Sequence, residues 1–387
     1  MEARVILDLF YDIVKHPWQA ARNWKGRTGG LVIGWLPADV PEELIMAAGA
    51  LPVGILGGEG LLSRADAHLP VWACSFARSS LELGLRGELD FLDGLVMPLT
   101  CDTLRLLAGI WEHCLPELRV HPYLIAHQVD RPSAGKLVRA EILRLKRALE
   151  KLIGREITGE TLKAAIELNR SCKQWLKRFY NWHRLHPEAL SGEDLFVLLR
   201  AATLLPKEDL LSALSALAGE LGLEPGSSPE TSGAVGAGKH PVYLSGSVAA
   251  PPGIFRLLDE AGLAVAGDDL HHGGRYLVPV GEGSDPIEQL AARQLALPPT
   301  GYLNSPQADR PGRLIKEVRR AGARGVIFLH LRFCEPENYD YYQLNQALER
   351  EGIPSLRVET DFQGSSLGQI RTRLEAFAEM LGGGIGA

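Results

Sequence analysis

The sequence lacks the short glycine-rich motifs by which many α/β enzymes bind nucleotides. No G-x-G-x-x-G follows an apolar run, and G-x-x-x-x-G-K-[ST] is absent. Both motifs cradle phosphate groups. Their absence argues against nucleotide hydrolysis by this chain.

The sequence also has little cysteine, no apolar run of membrane length and no excess of basic charge. Its 387 residues include five cysteines, too few for a disulfide framework, and the odd number fits a reducing compartment. No apolar run reaches the roughly 18 residues of a membrane span, and acids interrupt the apolar N-terminal stretch, unlike a signal peptide. A net charge of −6 gives no basic footprint for a nucleic acid. We expect a cytoplasmic protein that binds neither membranes nor nucleic acids.

The composition is that of a folded protein, with 46% hydrophobic and 23% charged residues. A chain of this length exceeds the size at which one core keeps growing, so two domains are expected. Short apolar runs alternate with helical patterns, which is typical of parallel sheets. The predicted strands lie at 31–36, 52–56, 94–97, 242–245, 264–266, 325–329 and 355–358. The fold class is therefore α/β, with two Rossmann- or flavodoxin-like domains.

Helical patterns and a polar stretch divide the chain further. Helices are predicted at 41–49, 102–111, 253–261 and 340–351, in addition to an N-terminal and a central helical region. A segment rich in Gly, Ser and Pro has almost nothing to bury and indicates a flexible boundary. The resulting segments are an N-terminal helical segment (1–24), a first α/β domain (25–134), a helical connector (135–223), a flexible boundary (224–240) and a second α/β domain (241–387).

Three cysteines occupy positions where ligands collect in open α/β sheets. Cys101 and Cys334 follow predicted strands, and Cys74 ends a short apolar run before a helical stretch. The simplest interpretation is that each is a small buried hydrophobe. Their spacing matches neither a zinc nor a ferredoxin pattern, so spacing alone names no metal. A long-range three-thiolate site in one interdomain cleft would suit an iron–sulfur cluster with one open iron. For Cys114 and Cys172, which lie in helical patterns, core packing is favoured.

Two other groups could carry chemistry. Glu42 and Glu43 lie at the start of the helix after the first strand, where carboxylates complement the helix dipole. The cluster formed by His271 and His272 is explained by a turn at least as well as by a ligand role. Neither group is assigned a function from its pattern alone.

Seven pieces of the sequence, taken in order, resemble the benzoyl-CoA reductase and 2-hydroxyacyl-CoA dehydratase family. They are GWLPADVPEELIMAAG (34–49), CSFAR (74–78), PLTCD (98–102), GVI (325–327), FCEP (333–336), GIPSL (352–356) and QIRTRLEAF (369–377). Each piece alone is weak, but the ordered set spans roughly residues 20 to 380 and includes three thiols.

The resemblance implies an iron–sulfur subunit of a low-potential radical enzyme that acts on acyl-CoA thioesters. It implies a heterodimer with a paralogous subunit, a [4Fe-4S] cluster held by Cys74, Cys101 and Cys334, and a separate ATPase activator that carries its own [4Fe-4S] cluster and supplies the electrons. The family's P-x-E helix matches Pro41 to Glu43, so the resemblance makes Glu43 a candidate catalytic acid, either a proton handler or an orienting group. Many relatives carry a cysteine where His271 stands.

Within the family, two segments that contain Cys74 and Cys101 look closer to benzoyl-CoA reductase subunits than to dehydratases. A subunit that reduces an aromatic ring is therefore the first expectation. An (R)-2-hydroxyacyl-CoA dehydratase subunit and a non-catalytic electron relay of either enzyme are the alternatives.

Overall fold

The structure is a computed structural model that describes residues 3–37, 39–223, 238–250, 253–303, 309–364 and 367–383. Within these ranges the chain forms two four-stranded sheets and their covering helices. None of the described helices is both long and apolar enough to span a membrane.

The first sheet is built from four parallel strands. In chain order they are β1 (Val32–Trp35), β2 (Leu51–Gly54), β3 (Gly94–Leu99) and β4 (Arg119–Leu124), and their order in the sheet is β2-β1-β3-β4. Strands β1, β2 and β3 are buried along their whole length, as expected of parallel strands covered on both faces. Strand β4 lies at the edge, and only Tyr123 of its residues is buried. The sequence analysis did not predict this strand.

The second sheet repeats the arrangement of the first. Its strands are β5 (His240–Gly246), β6 (Leu263–Asp268), β7 (Gly325–Leu331) and β8 (Ser355–Thr360), and their order is β6-β5-β7-β8, again all parallel. In both sheets the first strand of the set pairs with the second and the third. The predicted α/β class with two parallel sheets is confirmed.

Helices cover the sheets and fill the region between them in sequence. They are α1 (Ala3–Lys15), α2 (Gln19–Thr28), α3 (Glu42–Ala47), α4 (Ser75–Leu85), α5 (Asp102–Cys114), α6 (Ala134–Ile153), α7 (Gly159–Leu185), α8 (Gly192–Ala201), α9 (Lys207–Glu220), α10 (Ile254–Glu260), α11 (Pro286–Ala296), α12 (Arg310–Ala321), α13 (Glu335–Arg350) and α14 (Leu367–Gly382).

The segments proposed from the sequence remain our proposal for the domain organisation. The proposed N-terminal helical segment, 1–24, contains α1 and most of α2, which continues to Thr28. The two helices are separated near Pro17, because proline cannot continue the helix hydrogen bonding. The central helical region consists of α6 to α9; α7 packs against α3 and α9, and α6 packs against α11. Most of the proposed flexible boundary, 224–237, lies outside the described residues.

Candidate functional site

The three cysteines at strand and helix ends line one cavity. Cys74, Cys101 and Cys334 line one cavity of about 620 Å³, part of it open to solvent, which we call the cysteine cavity. Residues that follow β1, β3, β5, β6 and β7 also line it, so the carboxyl edges of both sheets meet there. The Ser75 N–H donates a hydrogen bond to the Arg332 carbonyl (3.2 Å), which ties the start of α4 to the loop before Cys334.

Each of the three cysteines is the N-cap residue of a helix. Cys74 precedes α4, Cys101 precedes α5 and Cys334 precedes α13. N-cap positions usually hold Ser, Thr, Asp or Asn, whose oxygens accept hydrogen bonds from the free N–H groups of the first turn. Here backbone N–H groups of the first turn form hydrogen bonds to the sulfurs, and these bonds by themselves act to lower the pKa of each thiol. Three helix N-termini with partial positive charge therefore converge on one set of sulfurs.

Burial has a larger effect on the pKa of these thiols than the helix N-termini have. Burial raises the pKa of the Cys74 thiol to about 12, and it raises the pKa of Cys101 and Cys334 as well. The three thiols also act on one another, since the charge of Cys101 raises the pKa of both other thiols. Bound iron or another cation would offset the cost of burying charged thiolates, because its positive charge stabilises them. The thiol protons are released when the metal binds.

The donor set fits a cluster better than a single ion. Among the described residues, no three His, Cys, Asp or Glu side chains lie close enough to hold one metal ion. Ligands of a single tetrahedral ion lie about 4 Å apart, given metal–sulfur bonds of about 2.3 Å. Iron–sulfur clusters are held by cysteine thiolates around a larger inorganic core. The chemistry of three cysteine thiols around one cavity thus fits an iron–sulfur cluster.

The residue before Cys334 has a strained backbone. Phe333 has a φ of 63°, in the left-handed region, and its side chain is partly exposed. This conformation costs a residue with a side chain roughly 1–2 kcal/mol. Such strain is concentrated at ligand sites and is maintained by the surrounding structure. Here it turns the chain so that β7 ends and Cys334 caps α13.

Glu337 also lines the cysteine cavity, and the sequence analysis did not single it out. Its side chain is buried, and its Oε2 accepts a hydrogen bond from the Leu331 N–H (3.0 Å). Burial raises the pKa of this carboxyl to about 7, although the Ser247 hydroxyl and the Leu331 N–H lower it. The available signal was the spacing C-x-x-E, which places Glu337 in the first turn of a helix that starts at a cysteine.

Glu43 does not line the cysteine cavity. It is buried in α3, where Oε1 accepts hydrogen bonds from Arg293 (2.6 Å) and Asn169 (2.8 Å). Burial alone would raise the pKa of Glu43, but the Arg293 guanidinium and Lys173 outweigh it and lower the pKa to about 2. The carboxylate is therefore held ionised, and its assignment as a catalytic residue stays a prediction.

Glu42 faces a second, smaller cavity next to the first. This space of about 430 Å³ is also lined by Lys173 and Tyr276, and His271 lines both cavities. Glu42 forms ion pairs with Lys207 (3.1 Å) and Lys173 (3.7 Å). Burial lowers the pKa of Lys173 to about 8. The structure thus places Glu42, rather than Glu43, against open space.

The two neighbouring histidines have different surroundings. His271 stacks on Tyr302, with ring centroids 5.6 Å apart, whereas His272 is buried with its edge toward Phe196. Burial lowers the pKa of both to about 3, and the Arg275 charge lowers that of His271 further. Both rings are therefore neutral at physiological pH.

The remaining two cysteines lie away from the cavity. Cys172 is buried in a hydrophobic core, and its thiol donates to the Lys207 carbonyl (3.3 Å). Cys114, for which core packing was also favoured, is only half-buried at the end of α5 and lies 3.3 Å from His68 Nδ1. Neither residue contributes to the cysteine cavity.

A buried ion pair joins the two halves of the chain beside the cavities. Asp39, which follows β1, accepts two hydrogen bonds from Arg275 (3.0 and 2.7 Å) and one from the Tyr302 hydroxyl (2.7 Å). Both charged side chains are at most 5% exposed. Although burial opposes it, the Arg275 charge lowers the pKa of Asp39 below its ordinary value. The pair fixes the loop after β1 against the loop after β6.

We expect Asp39→Asn to destabilise the protein by about 3–5 kcal/mol, because it leaves the Arg275 charge buried without its partner. Urea unfolding at neutral pH measures this. Asp8→Asn is the control, since Asp8 pairs with Arg4 on the surface with both side chains more than half exposed, and such pairs contribute about 1 kcal/mol or less. Equal unfolding midpoints for the two variants would show that the buried pair does not hold the halves together.

The protein has two parallel sheets of the same strand order, and three thiols lie where the carboxyl edges of the sheets meet. It is therefore a two-domain α/β protein with a cysteine-lined cavity. The sequence profile of the family described as 2-hydroxyglutaryl-CoA dehydratase, D-component, matches residues 37–381. The chain belongs to this family, as its sequence resemblance predicted.

Curated relatives cover nearly the whole chain. The chain is 29% identical to the (R)-phenyllactyl-CoA dehydratase beta subunit of Clostridium sporogenes (96% of this chain, 97% of the relative). It is 30% identical to the beta subunit of (R)-2-hydroxyglutaryl-CoA dehydratase of Acidaminococcus fermentans (98% and 100%). It is 28% identical to a benzoyl-CoA reductase subunit of Thauera aromatica (94% of each). The family therefore comprises subunits of acyl-CoA dehydratases and reductases, and the chain is an enzyme subunit of this type.

Proposed function

We propose that this chain is the [4Fe-4S]-carrying subunit of an ATP-dependent radical enzyme that acts on acyl-CoA thioesters. In this proposal it pairs with a paralogous subunit and receives electrons from a separate ATPase activator with its own [4Fe-4S] cluster. The observation that carries the proposal is the convergence of Cys74, Cys101 and Cys334, each at a helix N-terminus, on one cavity.

Residues of this chain would hold a [4Fe-4S] cluster in the cysteine cavity and stabilise its charge. When bound, a [4Fe-4S] cluster supplies one-electron transfer, whose potential depends on hydrogen bonds to sulfur and on solvent exposure. The three thiolates would hold it, and the N–H groups of α4, α5 and α13 would stabilise negative charge on the sulfurs. Phe76 and Leu331 line the same cavity and are buried, so they limit the access of water.

Ring reduction is our first candidate activity, because the segments around Cys74 and Cys101 resemble benzoyl-CoA reductase subunits. Dehydration of an (R)-2-hydroxyacyl-CoA is the second candidate, favoured by the names of two of the relatives. A reductase consumes electrons in every turnover, whereas a dehydratase returns its electron and needs reductant only to start. The two activities therefore differ in their use of reductant.

Electron stoichiometry separates these candidates in the reconstituted complex. The complex is given benzoyl-CoA or an (R)-2-hydroxyacyl-CoA with limiting reductant, and product formed per electron is measured. Product in proportion to reductant, with benzoyl-CoA only, supports the reductase. Many turnovers per electron with the hydroxyacyl-CoA would instead establish a dehydratase. No product from either substrate would contradict both candidates.

We expect the purified chain alone not to hydrolyse ATP, because it has no phosphate-cradling loop. Phosphate release is measured for the chain, for the activator and for the two together, and we expect release only when the activator is present. Steady phosphate release by the chain alone, abolished by a point substitution in it, would contradict the proposed division of labour.

A further inference from the structure

A third and larger space lies between α7 and α12, beside the edge strand β6. We call it the basic groove, and its volume is about 1530 Å³, part of it open to solvent. Its walls carry cations from both helices: Lys177 and Arg184 from α7, and Arg313 and Arg320 from α12. In each helix the two cations are seven residues apart, so they lie on one face and about 10 Å from each other along the axis.

Most of this wall charge has no acidic partner. Arg320 forms an ion pair with Glu317, one turn earlier in α12 (2.6 Å). No ion pair in the described part of the chain involves any of the other three wall cations. The two further arginines that line the groove are each paired with an aspartate, Asp39 and Asp340. The walls of the groove therefore carry an excess of positive charge.

Arg184 is the most constrained of the wall cations. Its side chain is partly buried, and one terminal nitrogen donates a hydrogen bond to the Ala321 carbonyl at the end of α12 (2.7 Å). Its Nε is buried without a hydrogen-bond partner. Burial lowers the pKa of Arg184, and the side chains whose charge acts on it are Tyr180 and Arg320, neither of which is a carboxylate. A fixed guanidinium thus lines the groove without a counter-charge.

The two aspartates in the groove are engaged in holding the loop after β6. Asp268 accepts hydrogen bonds from the Tyr180 hydroxyl and from two backbone N–H groups of that loop. Burial raises its pKa to about 6, although these hydrogen bonds lower it. Asp269 accepts hydrogen bonds from the Ser245 hydroxyl and a backbone N–H at the end of β5 (both 3.0 Å). Neither aspartate compensates the charge of the walls.

The floor of the groove is largely apolar. Tyr243, Leu277 and Leu314 are buried there, and Pro298 and Pro299 complete it. Pockets for organic ligands are typically apolar, with a few polar groups that fix the orientation of the ligand. Guanidinium groups bind phosphate oxygens particularly well, because their fork of N–H donors matches the geometry of the anion. Basic walls above an apolar floor thus suit an organic molecule that carries phosphate groups.

We propose that the basic groove binds a nucleoside diphosphate group, with its phosphates between α7 and α12 and its organic part on the apolar floor. Arg184 and Arg313 bind phosphate oxygens from the two walls, and Lys177 adds a third charge. None of these three residues lines the cysteine cavity, so the site does not depend on the proposed cluster. The groove has no glycine-rich loop, and we expect binding without hydrolysis.

The test measures binding to the full-length chain by isothermal titration calorimetry, with ADP, coenzyme A and adenosine as probes. The groove variant, Arg184→Gln with Arg313→Gln, removes one wall cation from each helix. The control variant, Arg178→Gln with Lys316→Gln, makes the same change of charge on the same helices at positions that do not line the groove. Circular dichroism and melting temperatures verify folding. Arg313→Gln alone is a second variant, since Arg313 is exposed.

ADP should bind to wild type, and adenosine should not. Each lost charged contact should weaken ADP binding about tenfold, so the groove variant should lose about 100-fold and the control variant about twofold at most. Added salt should weaken binding to wild type. The same diphosphate occurs in free nucleotides and in coenzyme A, and the tighter of the two probes identifies the source. Either order of affinities supports the site.

Four outcomes overturn the proposal. The first is no binding of either ADP or coenzyme A at about 1 mM ligand, and the second is adenosine binding as tight as that of ADP. The third is an ADP affinity that Arg313→Gln and the groove variant leave unchanged. The fourth is an equal loss in the control variant, which would show general attraction by basic helices. ADP affinity should be the same with and without bound iron, so failure of the proposed cluster would leave this test intact.

Discussion

Cys101→Ser should remove most of the iron and acid-labile sulfide from a protein that otherwise holds about four of each per chain. A serine hydroxyl is nearly isosteric with the thiol, but it is a much weaker ligand for cluster iron. The same loss is expected for Cys74→Ser and Cys334→Ser. Iron and sulfide assays on anaerobically purified protein measure the effect, and loss of the visible absorption of the cluster provides a second readout.

These substitutions should not unfold the protein. All three cysteines are N-cap residues, and serine is among the best N-cap residues, because its oxygen accepts hydrogen bonds from the first turn. Loss of iron can therefore be attributed to loss of the ligand. Metal-free variants should melt at or slightly above the temperature of metal-free wild type.

Cys114→Ser and Cys172→Ser are the matched controls, since neither thiol lines the cavity. Both should keep the iron of wild type. If all three cavity variants retained wild-type iron while either control lost it, the ligand assignment would be wrong.

The sequence predicted the strands best where they are buried on both faces. The runs in β1, β3 and β7 are almost continuously apolar, and the structure buries all of their residues. Strand β4 was missed because it is an edge strand with the sequence Arg-Val-His-Pro-Tyr-Leu, where Pro122 and polar residues hide the pattern. Helix α12 was also missed. Five of its twelve residues are basic, and only Leu314, Val318 and Ala321 are buried.

The candidate site was only partly accessible from the sequence. The three thiols could be found because each stands at the end of a strand or the start of a helix in a recognisable motif. Pairings such as Asp39 with Arg275, 236 positions apart, depend on how the two halves pack, and no local pattern records that. Glu337 shares this difficulty, because only the folded cavity shows that its carboxyl group is buried among the sulfurs.

The structure changes the expected behaviour of Glu43. A carboxylate at a helix N-terminus contributes about 0.3–1 kcal/mol through the helix dipole. Glu43 instead forms a buried ion pair with Arg293, and both side chains are at most 7% exposed. We expect Glu43→Gln to destabilise the protein by about 3–5 kcal/mol, because it leaves the guanidinium buried without its partner. Thermal and urea unfolding measure this loss.

The pH dependence of unfolding provides an independent readout of the same pair. In the folded chain the pKa of Glu43 is lowered from 4.5 to about 2. Its contribution is therefore fully present above the ordinary pKa and is lost as the pH falls toward 2. Wild type should lose unfolding free energy over that acid range, and Glu43→Gln should lose correspondingly less. Equal acid dependence of the two proteins would contradict the lowered pKa.

The catalytic assignment of Glu43 can be tested once stability is restored. Replacing both partners, as in Glu43→Gln with Arg293→Met, removes the buried charge as well as the carboxylate, and such double replacements recover much of the lost stability. A carboxylate with a pKa near 2 is a poor proton acceptor at neutral pH, so the orienting role is the stronger form of the prediction. If Glu43 acts in catalysis, the stable double variant should still lose roughly 10²- to 10⁴-fold in turnover of the reconstituted complex. Recovery of turnover together with stability would leave Glu43 with a purely structural role.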